Sequence, residues 1–169
     1  MYRILVAVDG SSRSVRTLEQ ALSLSRSVTS PSLHIVHACA PFTRHVANLV
    51  SAAMRKAEHE RRSEAALAPA RAMLAGTGLP VEYSWRVGTL AEVVSSVARE
   101  IGASQVVLPA RAGDLAARAF GSAVEGEIGE RTGLPVTVVA QGEGRAWVHR
   151  LGVPTSLGLG LTALVMAGD

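Results

Sequence analysis

Gln105–Ala140 reads QVVLPARAGDLAARAFGSAVEGEIGERTGLPVTVVA, and this stretch decides the fold because it holds a strand, a loop, a helix and a second strand in one unit. Gln105–Leu108 is a short apolar, β-branched run. Ala110–Phe120 is a loop carrying Gly113 and two arginines, Arg111 and Arg118. Gly121-Ser122 opens a helical segment, Ser122–Arg131, and Val136–Ala140 is again apolar and β-branched. A helix entered through Gly-Ser presents unpaired backbone N–H groups and the positive end of its dipole, and a glycine without Cβ lets an anion approach closely. This is chemistry for holding an anion rather than for breaking a bond.

The same rhythm runs back to the first residue. Tyr2–Val8 is a near-continuous apolar run that stops at Asp9-Gly10-Ser11-Ser12, and Ser14–Val28 carries Val15, Leu18, Ala21, Leu22 and Val28 at helical spacing. Ser32–Ala38 reads as a second strand and Pro41–Arg44 as a loop. Val46–Leu74 reads as a long helical segment that Pro69 should kink or divide near Leu67, since proline removes a donor and crowds the preceding turn. Val81–Val87 alternates as a third strand, and Leu90–Ile101 is a third helix with Val93, Val94, Val97 and Ile101 inward.

Five strands alternating with four helices, the strands mostly apolar, predict an α/β domain. Its core is a five-stranded parallel open sheet of Rossmann-like type with helices on both faces. In such sheets ligands sit beyond the carboxyl ends of the strands where the strand order reverses, which directs attention to Asp9–Arg13, Ala38–Pro41 and Pro109–Phe120.

Residues 1–140 thus form one domain and 141–169 a C-terminal tail. Within the tail Gln141–Arg150 is polar and includes Trp147, and Leu151–Gly168 has eighteen residues without a charge. Four glycines, Pro154, Thr155, Ser156 and Thr162 make that segment a poor membrane span, so packing on a partner or mobility is expected instead.

Composition narrows the function classes. The chain has 169 residues, is 48% hydrophobic and 18% charged, and has 4% aromatics, so an aliphatic core is expected and simple disorder is excluded. Net charge is +3, and sixteen of the seventeen basic residues are arginines interleaved with glutamates, which gives no one-sided basic face for nucleic acid. The single cysteine, Cys39, cannot form an internal disulfide and reads as a small buried hydrophobe. With no signal sequence ahead of the first strand, a cytoplasmic location is expected.

The histidines at 34, 37, 45, 59 and 149 lack metal-ligand spacing. Glu58 and Arg62 stand four apart and are expected to pair on a solvated helix face. No G-x-S-x-G elbow, P-loop or post-strand G-x-G-x-x-G is present, so no catalytic residue is assigned.

Taken in order, ILVAVDGS at Ile4–Ser11, a strand ending His37-Ala38, RVGTLAEVV at Arg86–Val94 and the run from Ala103 to Val139 resemble the universal stress protein family over nearly all of residues 1–140. The resemblance implies the α/β fold of the adenine nucleotide alpha hydrolase-like group, which binds ATP in some members. It also implies a stress-response role with at most slow ATP hydrolysis. By position, Asp9 corresponds to the family's first-strand acid, Ala38 to the second-strand backbone contact, and Gly121-Ser122 to the end of the motif G-x-x-G-x(9)-G-[ST]. The middle of that motif departs from the pattern. With nine residues intervening before Gly121 the middle position falls on Arg111, whereas starting from Gly113 leaves seven, and the first glycine is replaced by Leu108 or Ala110.

The resulting candidate site is Asp9, Ala38, Ala110, Arg111, Gly113, Arg118, Gly121 and Ser122, for ATP or another adenine nucleotide with or without Mg²⁺. Asp9 has two readings, ribose or Mg²⁺ contact and cap of its own loop. Arg111 and Arg118 are surface arginines or charge-assisted phosphate partners. The resemblance further implies a homodimer through the last strand, Pro135–Ala140. A protein-interaction module that keeps the fold without nucleotide is the alternative.

Overall fold

The structure, a computed structural model, describes residues 1–110, 123–139 and the backbone of 146–149. Its elements run β1 (Tyr2–Ala7), α1 (Ser12–Arg26), β2 (Pro31–Cys39), α2 (Arg44–Leu49), α3 (Ala52–Leu74), β3 (Val81–Val87), α4 (Leu90–Ile101), β4 (Gln105–Pro109), α5 (Ala123–Thr132), β5 (Val136–Val139) and β6 (Ala146–His149). The sheet order is β3-β2-β1-β4-β5-β6. The first five strands pair parallel, as expected from their apolar runs, and β6 joins antiparallel to β5.

Alternation along the central strands divides the core into two layers. Leu5 and Ala7 of β1, Val36 of β2 and Val106 and Leu108 of β4 pack with Val93, Val94 and Val97 of α4 and with Ile128 of α5. Ile4, Val6, Leu33, Ile35 and Val107 face the other way, against Leu18 and Ala21 of α1 and Leu67, Ala70 and Leu74 of α3. Every one of these side chains is within a few percent of complete burial. At roughly 1.5–3 kcal/mol for each fully buried aliphatic side chain, this packing is the dominant stabilising contribution.

Two expectations need correction. The long second helical segment does not divide near Leu67. It divides at Val50-Ser51, where Val50 is extended and the Ser51 hydroxyl accepts the Met54 amide at 3.2 Å, capping α3. Helix α3 runs through Pro69 because Pro69 and Ala65, whose carbonyl loses its partner, both lie on the exposed side. Val15 is 39% exposed rather than inward, and Ser14, Thr17 and Ser25 join Leu18 and Ala21 on the buried face of α1.

On the outer side of β5, the last parallel strand, lies β6, with Val136 opposite His149 and Val139 opposite Ala146. The tail therefore contributes a strand to the sheet. Residues 151–168, read as a charge-free tail, lie outside the described residues. Among those that are described, no helix is long and apolar enough to cross a membrane.

One glycine fixes how a helix meets the loop after β1. Gly10 has φ +75, and a Cβ placed on it would lie 2.8 Å from Ala66 Cα of α3. Gly76 has a similar φ, +78, but nothing within 4 Å. Gly76→Ala is therefore expected to cost about 1–2 kcal/mol from the left-handed backbone alone. Gly10→Ala adds a backbone clash and should cost about 2–4 kcal/mol. Urea unfolding of the two variants checks the difference, and equal losses would refute the packing contact.

Candidate functional site

Strand order reverses at β1, whose neighbours are β2 on one side and β4 on the other. At the carboxyl ends of these strands lies a cleft of about 540 Å³. Val8 and Asp9 form its floor beside Ala38, Ala40 and Pro41 from the end of β2. Gly88, Thr89 and Glu92 come from the turn into α4, Pro109 and Ala110 from the end of β4, and Val124 and Glu127 from α5. Its size is that of a small-molecule site, and its place is where open α/β sheets bind ligands.

Asp9 reaches this place because β1 is buried on both faces as far as Val8 and the chain must become polar where it leaves the sheet. One Asp9 oxygen accepts hydrogen bonds from the Ser11 amide at 2.9 Å, the Ser11 hydroxyl at 2.5 Å and the Ser14 hydroxyl at 2.8 Å. The other accepts from the Arg13 guanidinium at 3.2 Å. Ser14 closes the loop, since its oxygen also accepts the Asp9 amide at 3.0 Å. Partial burial pushes the carboxyl pKa up, but the bonds from Ser11, Ser14 and Arg13 outweigh it and hold the value at about 2. Asp9 is thus a permanent anion that orders its own loop while remaining half-exposed to the cleft.

The opposite rim rests on a capping box. Thr89 accepts the Glu92 amide at 3.3 Å, and the Glu92 carboxylate accepts the Thr89 amide at 3.1 Å and hydroxyl at 2.8 Å. The hydroxyl bond, then the amide bond, lower the Glu92 pKa. Thr89-x-x-Glu92 ahead of an apolar run is the sequence signature of such a helix start. Nearby His37 Nδ1 lies 2.9 Å from the Val8 carbonyl and ties β2 to the end of β1. Behind the cleft, Cys39, 3% exposed, has its sulfur 3.0 Å from His59 Nδ1. Cys39 is buried as expected, but its histidine neighbour is distant in sequence and was not foreseen.

Of the expected site residues, Asp9, Ala38 and Ala110 are brought together on the cleft wall. Arg111, Gly113, Arg118, Gly121 and Ser122 lie outside the described residues. Val124, two positions beyond Ser122, lines the same cleft as Asp9. Glu58 pairs with Arg62 at 2.6 Å as expected and also with Arg61 at 2.8 Å, on an exposed helix face away from the cleft lining. Among the described residues no group of three or more potential metal ligands occurs.

Comparison with known proteins agrees with this architecture. No curated protein matches the chain. A universal stress protein in complex with cAMP is 24% identical, with a TM-score of 0.60 over 82% of this chain and 96% of that one. A universal stress protein family protein from Arabidopsis thaliana with AMP bound is 13% identical, with a TM-score of 0.60 over 85% and 94%. A universal stress protein from Lactobacillus plantarum is 15% identical, with a TM-score of 0.63 over 82% and 97%. Identities of this size speak to fold alone. The model of the universal stress protein family matches residues 1–140, and with the layered sheet and the cleft at its strand-order reversal, this chain belongs to the universal stress protein family.

Proposed function

We propose that this chain is a stress-response protein that binds an adenine nucleotide in the cleft between the loops after β1 and β4, and that it works in the cytoplasm as a sensor or store rather than as an efficient catalyst. The observation that carries this reading is the convergence of Asp9, Ala38 and Ala110 on one cleft at the strand-order reversal. Two proteins of like fold, bound to cAMP and AMP, support the ligand class.

Charge bears on which nucleotide is held. The described lining carries the carboxylates of Asp9, Glu92 and Glu127 against the single guanidinium of Arg13, which Asp9 already engages. A triphosphate in such a wall needs added positive charge, and Arg111 and Arg118 are the residues proposed to supply it. A carboxylate ionised at every physiological pH is also the kind of hard oxygen donor that Mg²⁺ takes, so Mg²⁺-ATP fits the donor chemistry of Asp9. A ligand with one phosphate needs less compensation. The glycine motif, shortened by two residues when Gly113 is its middle member, favours the smaller anion.

Isothermal calorimetry with cAMP, AMP and ATP, each with and without Mg²⁺, tests the reading. Binding with Kd between about 1 μM and 1 mM is expected, equivalent to about −8 to −4 kcal/mol. Ala40 is exposed on the cleft wall, so Ala40→Trp should fill the space and weaken binding at least about ten-fold, or 1.4 kcal/mol, with the melting temperature unchanged. No heat and no thermal shift at millimolar nucleotide would select the interaction module instead.

The structural part of Asp9 is separable by pH. Its folded pKa, about 2, lies below the ordinary 3.8, so its contribution to stability is complete above about pH 4 and is lost as pH falls toward 2. Solvent screening of this half-exposed group reduces the expected contribution to about 1 kcal/mol. Urea unfolding at pH 6 and pH 2.5 should show Asp9→Asn losing about 1 kcal/mol less than the native chain across that interval. Identical pH profiles would show that the loop does not depend on the carboxylate.

A further inference from the structure

We infer that β6 is an intramolecular cap on the sheet edge through which two copies of this chain would otherwise associate. The two edges of the five parallel strands are protected differently. At one edge β3 carries Glu82 and Arg86, both exposed, and Arg86 pairs with Glu100 of α4 at 3.4 Å. Charged side chains on an outer strand discourage another strand from adding. At the other edge β5 reads Val-Thr-Val-Val, uncharged, β-branched and buried at every position. Without β6 this strand would present an unpaired row of N–H and C=O groups flanked by apolar side chains, the pattern that templates strand addition.

In the structure β6 pairs with all four residues of β5. Residues 140–145 alone separate the two strands, so the cap has an effective concentration in the millimolar range and outcompetes a second copy present at micromolar concentration. Four residue pairs are few, however, and a two-strand pairing of this length is marginal alone, so the cap is removable. β6 also lies beyond the residues that match the family, which makes it an addition to the shared domain. The homodimer expected through Pro135–Ala140 is thereby assigned to the state in which β6 has left the edge and β5 of a second copy takes its place. This inference rests on the sheet edges and on where the family match ends, and is independent of the nucleotide reading.

The test uses the full chain and a double variant, Trp147→Pro with Val148→Pro. Consecutive strand residues direct their N–H groups to opposite sides, so one of the two prolines removes a donor to β5 whatever the hydrogen-bonding phase. Size exclusion with light scattering at micromolar concentration should give the mass of one chain for the native protein and of two for the variant. A folded variant that stays at one chain overturns the inference, as does a native dimer that the prolines leave unchanged. A second measurement holds even where the proline variant fails to fold. Val139 and Ala146 face each other across the pair. With Cys39→Ala, Val139→Cys and Ala146→Cys should close a disulfide within one chain on oxidation, running as a single chain on a non-reducing gel. A cross-link between chains, at twice the mass, would show that β6 caps a partner and overturn the inference.

Discussion

The structure depends on a constraint at β1, where Ile4 to Ala7, and Val8 just beyond the strand, are buried in the sheet's core. A strand so placed offers no position for a charge until it leaves the layers, and the first residue free to be polar is Asp9. Parallel neighbours on both sides, β2 and β4, prevent the strand from shifting register, because a slip of one residue would exchange the two core layers. The carboxylate is therefore set at the strand-order reversal by hydrophobic burial rather than by any polar preference of its own. The serine-rich loop after it then makes the charge tolerable, through hydrogen bonds from Ser11 and Ser14.

Much of the fold was legible because burial on both faces leaves an unambiguous record. β3 and α4 fall where their patterns place them, β1, β4 and β5 differ from the reading by one residue at an end, and β2 is one residue longer at each end. What escaped was decided by tertiary context or by very short elements. Val15 occupies a helical apolar position, yet Ser14 and Thr17 take the inward face, where their hydroxyls meet Asp9 and the Arg13 carbonyl. The Cys39–His59 contact joins residues twenty apart in sequence, and no spacing rule announces it. β6 has four residues in a polar stretch, too few for periodicity to register. In the candidate site, Asp9, Ala38 and Ala110 were legible from strand ends, whereas Thr89 and Glu92 carry a signal, the capping box, that marks a helix start and says nothing of a cleft.

The capping box shows how structure and site share one set of groups. Glu92 satisfies the start of α4 and contributes negative charge to the cleft at the same time. Asp9 likewise organises its loop and faces the space a ligand would enter. Groups already engaged in this way are pre-ordered, so a ligand meeting them forfeits little side-chain freedom. They also have fewer free lone pairs to offer, which shifts recognition toward shape and backbone contacts.

The close approach of α3 to Gly10 carries a last consequence. A helix backbone rests directly on the main chain beside Asp9, with Ala66 as its point of contact. The aperture of the cleft is consequently gauged from behind, by the bulk of a residue that is absent from the cleft lining. Enlarging residue 66 would lift the loop like a shim beneath a hinge, retuning ligand entry without altering any group the ligand touches.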